Sequence, residues 1–350
     1  MRHPGLRAGA LSGLGALFVA ALSGCASSGL SSPAATQPLA NAPLANAQSA
    51  THGAITAAQL SLSRTLWAPQ IPASRGPGWL SGDAKAGKNV VYSGDFENSK
   101  INIYPIKGHN PAPIGSITTG IQNPERLFVD KKLKLYVTNA TDVTVYPPGA
   151  TSPSLTISSG INNPTGLTVG PDGTVYVANV NTDSVTEYRK GKTSPSVTLN
   201  IPGSPENLAV DANSNLFVSF FGSQSNVLEF SPGQMNGTNL GLAIGSPGPL
   251  EVDSAGDVAI IDTSTNDLDI FPPEQTQPSI QTHYTDGNPF ELAFGKGQNK
   301  LYASVETTAS AYFQIDSLTY PSGTPQEQIA TQPYQSFESW PLAVSPDGEP

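Results

Sequence analysis

The chain has 350 residues, 27 of them acidic and 17 basic, with a net charge of −10 and no long basic run. That balance argues against nucleic acid as a partner and against an electrostatic contact with anionic lipid. A single cysteine, Cys25, excludes an intramolecular disulfide, and 34 glycines with 32 prolines point to a fold built from many turns.

Residues 1–24 form the first predicted element. Arg2 and Arg7 lead an uncharged stretch from Ala8 to Leu22, followed by small residues. This is the layout of a secretory signal, and it is too short and glycine-rich for a membrane span. It ends Leu22-Ser23-Gly24-Cys25, which resembles the lipobox of bacterial lipoproteins. The resemblance implies cleavage before Cys25, a lipid on its thiol, and export to the cell envelope as an anchored rather than spanning protein. Ala26 after the cysteine, in place of aspartate, resembles the outer-membrane address of Gram-negative lipoproteins, so the outer membrane is the expected location if the cell is Gram-negative.

Residues 25–80 are read as the lipidated cysteine and a flexible tether. No Asp, Glu, Lys or Arg occurs from Ala26 to Ser63, and PLANA is repeated in tandem at 38–42 and 43–47. Such a segment cannot bury enough apolar surface to order itself, so it serves as an arm.

Residues 81–350 are expected to be all-β. Five segments align without gaps: NPERLFVD (123–130), NPTGLTVG (163–170), SPENLAVD (204–211), SPGPLEVD (246–253) and NPFELAFG (288–295). A sixth, SWPLAVS, covers 339–345. Their anchoring leucines are Leu127, Leu167, Leu208, Leu250, Leu292 and Leu342, spaced by 40, 41, 42, 42 and 50 residues. Within each unit apolar residues alternate over short runs divided by turn residues, the pattern of half-buried strands. Four strands in about forty residues is the plan of a propeller blade. The last copy holds only a first strand, while Lys88 to Thr118 supplies strands two, three and four without a first. Together they make one blade, so six blades are expected, with the C-terminal strand closing the ring. Residues 305–312 are read as a longer loop that accounts for the spacing of 50. The repeated phrase resembles the NHL repeat of six-bladed propellers, an architecture that hosts enzymes, peptide binders and scaffolds alike.

Side chains suited to chemistry are few. There is no His-x₃-His, no cysteine pair and no G-x-S-x-G, and His3, His52, His109 and His283 are scattered. Hence no catalytic residue is assigned. Asp130, Asp172, Asp211, Asp253 and Asp347 read as turn formers.

In a propeller the segment entering the first strand and the one leaving the second lie at the same mouth of the central channel. This places Asp95, Glu125, Asn139, Asn179, Glu206 and Asp262 around one opening. Their oxygens suit a hard divalent cation such as Ca²⁺. Phe220, Phe290 and Trp340 would suit a polar ligand instead, as stacking surfaces. The fold also resembles the gluconolactonase-like propellers. That resemblance implies a central divalent metal held by a Glu, an Asn and an Asp, here drawn from Glu125, Asn179 and Asp262. The motif departs from that family at Pro164-Thr165-Gly166-Leu167, which carries Thr where the family carries Asn.

The leading expectation is a monomeric, lipid-anchored binding or scaffold module of the bacterial cell envelope. Its partner would be a protein, glycan or small molecule. The alternative is a metal-dependent lactone or ester hydrolase, or a lyase, acting at the channel mouth.

Overall fold

The computed structural model describes residues 78–284, 287–307, 312–333 and 341–345. Cys25, most of the tether, Trp340 and Asp347 lie outside the described residues. Six antiparallel sheets follow one another around a ring, a six-bladed β-propeller. From the inner strand outward, the second blade runs Arg126–Val129, Leu135–Thr138, Val143–Tyr146 and Leu155–Ile157. The third is Pro164–Val169, Val175–Asn179, Ser184–Tyr188 and Val197–Asn200. The fourth is Ser204–Val210, Leu216–Phe221, Asn226–Phe230 and Thr238–Asn239. The fifth is Pro247–Val252, Val258–Asp262, Asp267–Phe271 and Ile280–His283.

The first blade is assembled from both ends of the described chain. Leu342–Ser345 forms its inner strand and pairs with Val90–Asp95, Leu342 opposite Ser93 and Ser345 opposite Val90. Lys100–Pro105 and Gly115–Ile117 follow outward. The Gly94 amide donates to the Pro341 carbonyl at 2.8 Å, and the Ser345 hydroxyl donates to the Gly87 carbonyl. A Cβ at position 94 would lie 2.3 Å from Pro341 Cγ, so the seam requires glycine there. The C-terminal closure expected from the split repeat is present.

Two details differ from expectation. Trp79–Leu80, placed in the tether by the sequence, pairs with Gly115–Ile117 as a fifth, outermost strand of the first blade. A short helix, Gly82–Ala86, follows, capped by the Ser81 hydroxyl. In the sixth blade the strands are Gly287–Phe294, Lys300–Thr307, Tyr312–Thr319 and Thr324–Pro333, each 8 to 10 residues long. Residues 305–307 therefore belong to a strand. The four strands are longer than those of the other blades and take up part of the spacing of 50, while residues 308–311 of the expected loop lie outside the described residues.

The core is six apolar layers, one between each pair of neighbouring blades, and each layer contains one of the repeat's leucines. Leu127 packs with Val90, Ile101 and Ile103 of the first blade, while its neighbour Phe128 packs with Val169 and Val175 of the third. Alternate residues of one inner strand thus face opposite neighbours. Both faces are buried, so inner and second strands read as continuous apolar runs such as LFV at 127–129 and VAII at 258–261. The half-buried alternation expected throughout is found at outer strands such as Val197–Asn200 and Ile280–His283. Truncating one anchor should open a cavity that neighbouring rigid sheets cannot collapse into. Leu208→Ala is expected to lower unfolding free energy by about 2–5 kcal/mol in a denaturant titration. A loss below about 1 kcal/mol would show that the leucine layer does not carry the blade contact.

Candidate functional site at the channel mouth

The polar residues at the ends of the second strands accept hydrogen bonds from nearby backbone amides. Asn179 is 0 % exposed. Its Oδ1 accepts from the Asn162 amide at 2.9 Å, and its Nδ2 donates to Thr186 Oγ1 at 2.8 Å. Asn139 repeats the arrangement, accepting from the Gln122 amide at 2.9 Å and donating to Asp142 Oδ1 at 2.8 Å and Thr144 Oγ1 at 3.1 Å. Asp262 accepts from the Gly245 and Ser246 amides at 2.7 and 3.1 Å and from the Ser264 hydroxyl at 2.6 Å. Burial works against its ionisation. Hydrogen bonds from the Ser264 hydroxyl and three backbone amides outweigh that and hold the carboxyl below its ordinary value. The Gln122, Asn162, Gly245 and Ser246 amides belong to segments arriving from the preceding blade. Tyr146 and Tyr188 pin the same segments through their hydroxyls, donating to the Thr119 and Ser159 carbonyls at 2.8 and 2.7 Å.

Asp95 accepts from the amide and side chain of Asn98 and pairs with Lys100 at 3.1 Å, shaping its own turn. Phe220, at the matching position of the fourth blade, is fully buried in the layer between the third and fourth blades and offers no stacking face. Asp95, Asn139, Asn179 and Asp262 therefore act as clips within and between blades. Among the described residues no group of three or more His, Cys, Asp or Glu side chains is arranged to hold a metal ion.

The start of the inner strand behaves differently. Register shifts of the bulge type fall between Pro205 and Asn207 and between Pro289 and Glu291, leaving Glu206 and Phe290 as the extra residues. The third blade shifts at the same place, with Thr165 unpaired between Pro164 and Gly166. A bulge breaks strict alternation and re-aims side chains. Glu125 stands at the equivalent position of the second blade, its amide donating to the Thr138 carbonyl at 3.1 Å.

These positions hold half-buried and exposed groups at the starts of the inner strands. Glu206 accepts from the Ser204 hydroxyl at 3.4 Å. Burial pushes its carboxyl up to about 7; the Ser204 hydroxyl opposes the rise and the charge of Glu125 adds to it. The two glutamates, from the second and fourth blades, thus sense each other across the third. Between them the Thr165 hydroxyl donates to the Pro205 carbonyl at 2.9 Å. Phe290 is 40 % exposed, one of two large apolar side chains so exposed among the described residues.

One residue further in, Arg126 of the second blade forms an ion pair with Glu291 of the sixth. Those blades are not neighbours. Each packs its inner strand against Leu342–Ser345 of the first blade, so the pair reaches past that strand on the channel side. Both side chains are almost fully buried, at 4 and 5 % exposure. Neither was singled out as a site residue from sequence, although the spacing before each anchoring leucine put them at one level. Asn207 stands at that level in the fourth blade, and its Oδ1 is buried without a hydrogen-bond partner.

No protein-family model matches the chain, and no curated protein matches it in sequence. Solved structures do match in fold. A protein of unknown function from Bacteroides caccae aligns with TM-score 0.55 at 14 % identity, over 73 % of this chain and 97 % of that one. A streptogramin B lyase aligns with TM-score 0.52 at 14 % identity, over 74 and 83 %. A catalytically inactive histidine-to-alanine form of virginiamycin B lyase from Staphylococcus aureus, with quinupristin, aligns with TM-score 0.50 at 12 % identity, over 73 and 83 %. The fold is that of a β-propeller. At these identities the likeness extends to architecture alone.

Two outcomes follow from the geometry. Removing one member of the Arg126–Glu291 pair leaves a buried charge uncompensated, so Arg126→Met or Glu291→Gln should each cost about 3–5 kcal/mol of stability, with much of the loss recovered in the double variant. Additive losses in a double-mutant cycle would show that the two are not coupled. The second concerns pH. Between about 4.5 and 7 folded Glu206 holds a proton that the unfolded chain releases, so its contribution to stability is lost as pH rises through that window. Urea midpoints for Glu206→Gln should gain on the wild type as pH increases from 5 to 8, whereas parallel pH profiles would rule out a raised carboxyl.

Proposed function

We infer that the protein is a lipid-anchored binding module of the bacterial cell envelope, engaging its partner at the channel mouth and catalysing no reaction there. The observation that carries this reading is where the polar side chains are directed. Asn139, Asn179 and Asp262, which a metal-dependent propeller enzyme would turn to the channel, are engaged by the backbone of the blade connections. Glu125, Glu206 and Phe290 stand at the starts of their inner strands, one residue before the level of the Arg126–Glu291 pair. That arrangement suits a cationic or hydrogen-bond-donating group set beside an apolar face. The lipobox-like Leu22-Ser23-Gly24-Cys25 and the uncharged arm behind it support anchoring and reach. A lyase dependent on a histidine finds little support. His109 lies exposed in an outer loop of the first blade, and His283, 60 % exposed, pairs with Asp267 at 2.7 Å in the outer part of the fifth.

The facing glutamates favour one other reading, a metal-dependent lactone or ester hydrolase or lyase with a divalent cation such as Ca²⁺ between them. Thermal unfolding of the full chain carrying Cys25→Ser, stripped with chelator, separates the two. A cation bound only by the folded state at a hundred times its dissociation constant adds about 2.7 kcal/mol. The binding-module reading expects no divalent cation to raise the midpoint, and expects Cys25→Ser to move the protein from the membrane to the soluble fraction. A Ca²⁺-dependent rise abolished by Glu206→Gln would favour the hydrolase.

A further inference from the structure

The opposite end of the propeller holds a feature that composition conceals. Lys131, Lys132 and Lys134 belong to the turn between the first two strands of the second blade, and Lys190 and Lys192 to the turn after the third strand of the third blade. Folding brings five of the chain's eleven lysines around one cleft between these blades. Sequence reading found no long basic run because the lysines come from two segments some sixty residues apart. Lys132, Lys134, Lys190 and Lys192 have no acidic partner within 4.0 Å among the described residues.

Among the residues lining the cleft there is one carboxylate against five lysines, so the excess is positive. Asp130 lines the cleft, but its oxygens accept from the Lys132 and Lys134 amides, both at 2.8 Å, and from the Tyr136 hydroxyl at 3.2 Å. It organises the turn that presents the lysines. Lys190 lies across Gly173, whose Cβ, if present, would meet its side chain at 3.0 Å. Beneath the charged rim the floor is apolar: Phe128, Leu155, Ile157, Val169 and Val175 at the edge of the layer between the two blades. The accessible space is about 160 Å³, room for several groups the size of a water molecule or a methylene.

A cationic rim over an apolar floor is complementary to one kind of molecule. We propose that this cleft binds a single anionic amphiphile, with its carboxylate or phosphate head among Lys132, Lys134, Lys190 and Lys192 and the first methylenes of its chain on the apolar floor. The site stands at the opposite end of the propeller from the channel mouth and does not depend on the function assigned there.

The test is calorimetric titration of the full chain carrying Cys25→Ser with decyl phosphate below its micelle-forming concentration. The expected result is one site, weakened by added salt because the rim is exposed, with ethyl phosphate and inorganic phosphate at least about tenfold weaker because the floor goes unused. The Lys132→Gln/Lys190→Gln/Lys192→Gln variant should keep the wild-type melting temperature and lose affinity about tenfold or more. Glu206→Gln should leave binding unchanged. Absence of decyl phosphate binding, equal affinity for inorganic phosphate, or full affinity in the triple-lysine variant would each overturn the proposal. So would binding to phosphatidylglycerol vesicles without binding to monomeric decyl phosphate, which would mark the patch as a membrane-facing surface.

Discussion

Everything in this propeller depends on the burial of apolar side chains on both faces of each blade. A four-stranded sheet alone leaves two apolar surfaces in water, and no single repeat can satisfy both. The anchoring leucines Leu127, Leu167, Leu208, Leu250, Leu292 and Leu342 each enter a different layer between blades. The demand passes from blade to blade until the ring closes. Closure is therefore not an ornament of the C-terminus: without Leu342–Ser345, the second strand of the first blade would present an open edge and two layers would lose their innermost member.

Close packing creates a second demand, because each blade must hand the chain to the next without leaving backbone amides unsatisfied. The solution recurs. Asn139, Asn179 and Asp262 end their second strands with a side chain that accepts from the incoming connection, and Tyr146 and Tyr188 hold the same connections by a carbonyl. Oxygens placed at the right height for a ligand are consumed in building the scaffold.

The electrostatic character of the two ends then follows from small departures at equivalent positions. At the mouth, bulges free the residue two before the anchoring leucine from strict pairing. Glutamate in two blades and phenylalanine in another give an acidic and aromatic rim. At the far end, one turn of the second blade carries three lysines and one turn of the third carries two, so a strongly acidic chain displays a local cationic cleft. Identical scaffolding with different turn residues is how one repeat acquires two unlike surfaces.

The sequence by itself determined the repeat, the number of blades, the split first blade and the turn-forming role of Asp130, Asp172, Asp211 and Asp253. Each of these rests on local pattern: the period of apolar residues, the spacing of the leucines, and Asp followed within a few residues by amides it can reach. Tertiary structure alone decided where the polar side chains of the mouth point. Whether Asn179 meets a ligand or the Asn162 amide depends on a connection 17 residues away, and whether Glu206 faces Glu125 depends on a bulge that leaves no mark in composition. The pairing of Arg126 with Glu291 and the gathering of lysines from two turns are longer-range still. Periodicity reports which residues are buried, because burial repeats with the strand. It does not report which polar groups meet, because that is settled by distances between segments that only the closed ring brings together.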